Sequence, residues 1–473
     1  MFLGRQHELN LLEEHFHSSV SEFCVLYGRR RIGKSRLLEE FTKDKSSFFY
    51  LAGKENKKLQ LKRFIREMGV TFDDPFVGKV NVTEWDEALT ILDRNIHLEA
   101  QNNNHTKAIV VFDEFQWMCR GATELLSDLQ RFWDKKWMKS GKVFLIVCGS
   151  SISFMLGEVL SQKSPLFGRR TLSFELTPFN AVDAALFLPG KTLFEIAEIY
   201  MSLGGIPKYL EIINASGFSF RKSMSRLAFS PAGYFYDEIH YVLSEQLKET
   251  ENYFTLLKQM ANGAKQVNEL EQITRIPSGQ IMYYLARLCL LGFISRHIPI
   301  GSKLGTKKVR YRLDDYFLRF YFTFIHHNRQ RIVLKKDGIG FDRITKNRWD
   351  AYVGKLFEQF VRDHAEVIAN KFGYKNEISC IGSFWQNPTK RKQGVQIDLV
   401  IEFIDNTTFI CECKWNGNKR TGINAVTELR KRTTLYPNEK NHTIEQVLIT
   451  SGGVSQSVLK EKDIRVMTLN DFF

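Results

Sequence analysis

Eight consecutive residues, Gly28-Arg29-Arg30-Arg31-Ile32-Gly33-Lys34-Ser35, carry the pattern G-x-x-x-x-G-K-S, with Arg36 following. Two glycines at that spacing let the backbone curl so that successive N–H groups point inward at phosphate oxygens. Lys34 would reach the β- and γ-phosphates, and the Ser35 hydroxyl would ligate Mg²⁺. An apolar run over 108–112 ends in Asp113-Glu114. Asp113 at the end of a strand would hold the same ion through water, and Glu114 would polarise the attacking water. Ser150, just past the apolar run 143–148, is placed to sense the γ-phosphate or to cap a helix. Arg169 or Arg170 could act as a finger on that phosphate, the alternative being a solvated pair. The chemistry expected of this set is ATP hydrolysis.

A second constellation lies toward the C-terminus. Residues 396–401 and 408–415 both read as strands. Strand alternation sends Glu412 and Lys414 to one face and Cys411 and Cys413 to the other. A polar pair inside an apolar strand costs burial energy unless it finds partners or serves a site. Asp398 on the preceding strand is a second carboxylate. Glu358 sits in a helix read over 349–371, whose Tyr352, Leu356, Phe360 and His364 fall near one face. Two carboxylates and a lysine on adjacent strands suit Mg²⁺-assisted phosphodiester hydrolysis, with Mn²⁺ a possible substitute. Asp398 and Glu412 would hold the metal, while Lys414 would orient water and offset charge on the phosphorane. An edge-strand salt bridge is the alternative.

The elements that must position these groups are legible in outline. Residues 23–27 read as a strand entering the glycine loop, and Leu37, Leu38 and Phe41 as the helix leaving it. That helix would add its positive dipole end to the phosphate cradle. Continuous apolar runs at 108–112 and 143–148 mark buried parallel strands. Leu9, Leu12 and Phe16 predict a helix ahead of the first strand, and the polar tract 101–105 predicts a surface loop. The turn Gly205-Ile206-Pro207 can press against a purine or make a plain helix corner. From 250 to 313 the pattern is three short helices, the third capped by Ser278, and then two strands. The intervening turn bears Lys303, Lys307 and Lys308, the order of a winged helix with a lysine-rich wing suited to nucleic acid, the alternative being a packing or inhibitory module. Residues 314–322 are too aromatic for a free linker, and 329–340 read as the flexible junction.

Composition sets the outer bounds. With 473 residues, 43% hydrophobic and 25% charged, the chain is an ordinary globular one of roughly three or four domains. A formal net charge of +14 favours anionic partners, nucleic acid foremost. Seven cysteines without a C-x-x-C pair read as buried free thiols in a reducing cytoplasm rather than a zinc site. No apolar run approaches the ~18 residues of a membrane span, and the N-terminus lacks a signal-peptide layout, so a cytoplasmic location without membrane contact is expected.

Phe2, Gly4, Arg5, Glu8 and Leu9 resemble the F-x-G-R-x-x-E-L leading segment of AAA+ and STAND-type ATPases, which in those families packs against adenine. With the glycine loop, V-V-F-D-E-F-Q-W, C-G-S-S, L-F-G-R-R and G-G-I-P-K-Y-L, residues 2–210 resemble the archaeal-type ATPase family. The resemblance implies ATP at Gly28–Ser35, with adenine near Phe2, Gly4, Arg5, Gly205 and Pro207. Glu358, Asp398, Glu412 and Lys414 match, one by one, the pattern of the PD-(D/E)xK nuclease superfamily, although the leading proline is absent. The fold class expected is α/β: a P-loop NTPase core over 1–176, a helical lid over 177–248, a winged helix over 249–328 and a restriction-endonuclease-like domain over 341–473. The expected function is an ATP-controlled, DNA-directed nuclease, connected with defence or mobile elements. Its partner would be double-stranded DNA, alongside a homo-oligomer or partner protein. The alternatives are a nucleotide-dependent DNA- or protein-binding switch with an inactive nuclease-like domain, and a scaffold that uses nucleotide to set oligomer state.

Overall fold

The computed structural model describes residues 2–102, 107–303, 305–306, 308–335, 338–388 and 393–473. Of the tract expected as a surface loop, Gln101 and Asn102 end the helix Trp85–Asn102, and 103–105 lie outside the described residues, as does Lys307. The chain divides into two compact units, Met1–Pro178 and Phe179–Phe473.

The first unit is built on β1 (Glu22–Tyr27), β2 (Ser47–Leu51), β3 (Ala108–Asp113), β4 (Val143–Gly149) and β5 (Leu172–Glu175). They form one sheet in the order β2-β3-β4-β1-β5, and every pairing is parallel. Side chains of β1 alternate between two cores: Phe23 and Val25 face one, Cys24 and Leu26 the other. β3 and β4 divide in the same way, which is why their sequences are apolar without a break. Leu12 of the helix Gln6–His17 and Leu37, Leu38 and Phe41 of the helix Lys34–Thr42 cover one face. Helices Lys57–Thr71 and Trp85–Asn102 cover the other. Because the sheet is parallel, the loops after β1, β3 and β4 all leave from the same edge. Groups read 80 residues apart in sequence therefore converge, as they do at the carboxyl edge of other open α/β sheets.

After the short helix Ala181–Ala185, the second unit continues with helices Leu193–Leu203, Pro207–Ala215 and Phe220–Leu227. They share an aromatic core with Tyr316–Phe320 and Trp349–Asp363, where ring centroids of Tyr200 and Phe360 lie 5.7 Å apart and those of Tyr209 and Phe317 lie 5.2 Å apart. Helices Thr250–Ala261, Val267–Thr274 and Ser278–Leu290 lead into an antiparallel hairpin of β6 (Ile294–His297) and β7 (Arg310–Leu313). A mixed sheet follows, made of β8 (Ile378–Gln386), β9 (Val395–Phe403), β10 (Thr407–Lys414), β11 (Thr443–Thr450) and β12 (Ile464–Thr468) in the order β12-β11-β10-β9-β8. β9 runs antiparallel to β8 and β10, while β10, β11 and β12 are mutually parallel, with helix Asn424–Thr434 crossing between β10 and β11.

Several expectations are corrected here. Ser278 does not cap its helix: it is the first helical residue after Pro277, and its N–H is taken by Glu271 Oε1 at 3.3 Å. The helix expected over 349–371 breaks at His364. Burial keeps that imidazole neutral by lowering its pKa, so Nε2 accepts from Ala181 N at 3.0 Å while Nδ1 donates to Phe360 O at 2.7 Å. The break thus coincides with a tertiary bond from a residue 183 positions earlier, which the local helical pattern does not contain. The segment 329–340 is not a free junction: Arg329–Val333 is helical with Ile332 buried, and Ile339 N donates to Phe229 O at 2.9 Å. The thiols are not uniformly buried either, since Cys380 is exposed and Cys289 half-buried. Among the described residues no helix is long and apolar enough to cross a membrane.

Gly205 shows how tightly the second unit is packed. A Cβ there would lie 1.9 Å from Phe179 O, whose own N–H donates to Gly205 O at 2.8 Å. Gly205→Ala is expected to destabilise this unit by about 1–3 kcal/mol through overpacking. Urea denaturation reads it as a lowered midpoint, and an unchanged midpoint would show the corner to be loose.

Candidate nucleotide site and C-terminal carboxylate site

At the edge where β1 ends, Gly28 turns with φ +152°, and a Cβ there would lie 2.4 Å from Leu176 O. Arg31 (φ 71°) and Gly33 (φ 90°) both adopt the left-handed region, completing the curl before Gly33 O accepts the first helical bond from Leu37 N at 2.9 Å. Ile32 is buried as the inner anchor of the loop; Arg29 and Arg30 are half-exposed and Arg36 exposed. Lys34 is buried, and its Nζ donates across the loop to Arg29 O at 3.0 Å. Ser35 Oγ donates to Asp113 Oδ2 at 2.5 Å. Asp113 is wholly buried at the end of β3, and its Oδ1 accepts the Glu114 N–H at 2.8 Å. A hydroxyl beside a buried carboxylate is the donor set that a hard cation such as Mg²⁺ takes, so these residues fit that ion.

Glu114 stands in the left-handed region at φ 54°. Its Oε2 accepts from Ser150 Oγ at 2.6 Å and from Gln116 Nε2, while Gln116 Nε2 also reaches Ser150 Oγ at 3.1 Å. Ser150 therefore holds Glu114 rather than capping a helix; the short helix after it starts from Ser151, which makes no side-chain cap bond. Gln116 was not singled out from the sequence, and its sole signal was an uncharged polar residue in the buried turn after Asp113-Glu114.

The remaining candidates divide. Phe2 packs against the core that holds Ile32 and Leu37. Gly4 (φ 67°) and Arg5 (φ 62°) bend the leading segment, and Arg5 donates to Thr177 O at 2.5 Å and Ile32 O at 3.3 Å, besides pairing with Glu8 at 3.0 Å. Arg5 thus ties the leading segment to the phosphate loop. Arg169 forms a two-pronged pair with Asp134 at 2.8 Å for both bonds and donates to Pro165 O and Phe167 O. Arg170 is exposed beside it. Gly205 and Pro207 lie buried in the second unit, Gly205 against the Phe179 backbone and Pro207 in the first turn of its helix.

In the second unit, the β9–β10 register pairs Leu399 with Cys411, so Asp398 and Glu412 follow as the next opposed pair on one face. Asp398 Oδ2 accepts from Cys413 N at 3.1 Å. Glu412, 1% exposed, lies 2.8 Å from Lys414 Nζ and 2.6 Å from Arg432 Nη1. Both buried Glu412 oxygens are thus answered by cations, one by the Lys414 ammonium and the other by the Arg432 guanidinium. Arg432 Nη1 also lies 3.2 Å from Asp398 Oδ1, and Lys414 Nζ lies 2.9 Å from Glu428 Oε2. Glu428 and Arg432, four apart on the helix Asn424–Thr434, were not singled out from the sequence. Burial first, and then the charge of Asp398, pushes the Glu412 and Glu358 carboxyls up; burial does the same to Asp398. Among the described residues no three acids, histidines or cysteines converge as a ready-made metal cluster. Glu412 opposite Asp398, two buried carboxylates on one face, is a donor set that fits a divalent cation in the place Arg432 now takes.

Residues 2–213 match a family described as an ATPase domain predominantly from Archaea, and 321–426 match archaeal and bacterial proteins of unknown function. An uncharacterized protein of Methanocaldococcus jannaschii is 29% identical over 429 residues, covering 90% of either chain. An uncharacterized ATP-binding protein of the same organism is 40% identical over 45 residues, 10% of this chain and 76% of its own. A Walker-type ATPase of Pyrococcus abyssi shares the fold, with TM-score 0.52 and 19% identity over 68% of this chain and 96% of its own. Over residues 2–213, therefore, the chain is similar to the archaeal-type ATPase domain and has the fold of a Walker-type ATPase.

Proposed function

We propose that this chain is an ATP-controlled, metal-dependent nuclease acting on DNA, with hydrolysis in the first unit and phosphodiester cleavage at Asp398, Glu412 and Lys414. The observation that carries the nuclease reading is Glu412: a nearly inaccessible carboxylate inside a strand, opposite a second buried carboxylate and beside a lysine. In the first unit Lys34 offsets charge on the terminal phosphates, and Glu114 orients the attacking water. Ser150 and Gln116 keep Glu114 in place until substrate competes for it. Arg170 is the finger candidate, because Arg169 is committed to Asp134. Mg²⁺ would be held by Ser35 with Asp113, and by Asp398 with Glu412, where Mn²⁺ could replace it; bound there, it neutralises phosphate charge and acidifies a ligated water. Lys414, steered by Glu428, places that water. Glu358 acts from outside the strand pair. The three helices and hairpin between 250 and 313 serve as a winged helix, and self-assembly or a partner protein belongs to the same reading.

Arg432 favours a second reading. Its guanidinium bridges Asp398 and Glu412, so a chain that never releases it would be a nucleotide-dependent switch with an inactive C-terminal domain.

Lys34→Ala should abolish tight ATP binding, whereas Glu114→Gln should bind ATP and hydrolyse it ~100-fold more slowly, both read by nucleotide binding and phosphate release. Wild-type turnover in Glu114→Gln would remove it as the water-orienting group. Arg169→Gln is expected to lower the melting temperature at unchanged turnover, while Arg170→Gln should cut turnover without a stability change. The reverse result would restore Arg169 as the finger.

Asp398→Ala and Glu412→Ala should lose DNA cleavage while keeping ATP turnover; Lys414→Ala should be inactive yet still bind metal, and Glu358→Ala should be milder. Labelled plasmid with Mg²⁺ or Mn²⁺, with and without ATP, reads all four. A wild type that cuts nothing under these conditions establishes the switch instead.

A further inference from the structure

Next to the carboxylates, a cleft of about 580 Å³ opens in the second unit, with Glu358 and Asp398 in its lining. Its remaining walls are unusually cationic. The β6–β7 hairpin contributes Arg310 and Arg312, the segment after it Arg319, and the helix Trp349–Asp363 contributes Lys355 and Arg362.

These cations are poorly compensated by the protein itself. Arg312 pairs with Asp314 at 2.6 Å. Arg319 spends one nitrogen on Leu313 O, but its Nε is buried with no partner. Arg362 has a buried Nη2 with no partner and no carboxylate at ion-pair distance among the described residues. Arg310 is held over the Trp385 ring at 5.5 Å and likewise pairs with no described carboxylate. Burial, then repulsion from Arg312 and Arg362, pushes His297 down to about 3, so it is neutral and adds no charge. Crowding guanidinium groups together without anions is costly, and the cost is relieved when a ligand brings the anions.

We propose that this cleft binds the phosphodiester backbone of a nucleic acid strand, with Arg310, Arg319 and Arg362 contacting phosphates beside Asp398. A polymer fits better than a single phosphate because the uncompensated cations come from three separate elements and line a volume several times that of one phosphate group. Guanidinium groups, with several donors each, suit phosphate oxygens. The proposal deepens the nuclease reading and rests on it for the fate of the bound strand. It also moves the main contact away from the wing: Lys303 and Lys308 are exposed on the turn, whereas Arg310 and Arg312 of the hairpin strand line the cleft.

The test uses the full chain in EDTA, so that binding is measured without cleavage. Fluorescence anisotropy follows a labelled 20-mer as single-stranded DNA, as duplex and as RNA, over a range of NaCl concentrations. Arg310→Gln and Lys355→Gln, the latter at an exposed site, should each weaken binding by about three- to tenfold and lower the salt slope by about one. Arg362→Gln should weaken it by about tenfold or more, provided that its melting temperature is that of wild type. Doubly substituted K303Q/K308Q should change affinity less than either single cleft variant.

Unchanged affinity in Arg310→Gln and Lys355→Gln, or no binding of any strand by wild type, overturns the proposal. So does an equal loss in the K303Q/K308Q variant, which would mean diffuse charge, or calorimetric binding of pyrophosphate as tight as that of the 20-mer, which would mean a small-anion pocket. The two readings fail separately. Cleft variants that weaken binding to a wild type unable to cut keep the cleft and remove the nuclease; cutting with unaffected cleft variants does the opposite.

Discussion

A carboxylate buried within a sheet must be given partners, and both units are arranged around that requirement. In the first unit the burden falls on Asp113, at the end of β3 with no exposed surface. Its two oxygens are answered by one hydroxyl, from Ser35, and one backbone N–H, from Glu114. In the second unit it falls on Glu412, inside β10, where the answer is electrostatic: Lys414 on one side and Arg432 on the other. The difference matters for what each place can do. Asp113 is satisfied by neutral donors, so its charge remains available to a cation. Glu412 is already facing two cations, and a metal has to compete with them.

The parallel sheet explains why the first solution works without long-range coincidence. Gly28, Asp113 and Ser150 come from three loops, but each follows a strand pointing the same way, so they meet at one edge. The strand order then sets β1 between β4 and β5, which brings Leu176 against Gly28 and leaves no room for a side chain at that glycine. Arg5 closes the arrangement from the N-terminal side through the Ile32 and Thr177 carbonyls. Phosphate loop, leading segment and the chain leaving β5 are thereby one hydrogen-bonded object.

Most of this was legible because it is local. Strand, glycine loop and helix lie within 20 residues, and the Asp398–Glu412–Lys414 set needs only a hairpin and a period of two. What was not legible depends on partners distant in sequence. Arg169 looks like a free arginine until helix packing brings Asp134 to it, 35 residues earlier. Arg432 reads as one more basic residue on a polar helix; only the crossover between β10 and β11 places it 3.2 Å from Asp398. His364 sits on the apolar face of a plausible continuous helix, yet its backbone leaves the helical range at φ -116°, ψ 30°, where its ring accepts from Ala181 N. The lysine-rich wing is legible because Lys303, Lys307 and Lys308 lie within one short turn, while the cleft arginines, from Arg310 to Arg362, come together only in three dimensions.

The balance of charge around Glu412 links the two proposals physically. Asp398, Glu412 and Glu428 face Lys414 and Arg432, and Glu358 is close enough to both strand carboxylates to feel their charge. The acids are in excess; burial first, and the charge of Asp398 second, raise the pKa values of Glu358 and Glu412 and so favour uptake of protons. A divalent cation relieves the same excess and would release Arg432 from its bridging position. The neighbouring cleft has the opposite imbalance, with arginines lacking anions. A phosphate group arriving there would supply the missing negative charge beside the carboxylates, and a guanidinium freed from Asp398 would find a new partner in it. Metal and phosphate would then assist one another's binding, since each removes the charge that makes the other's position unfavourable alone.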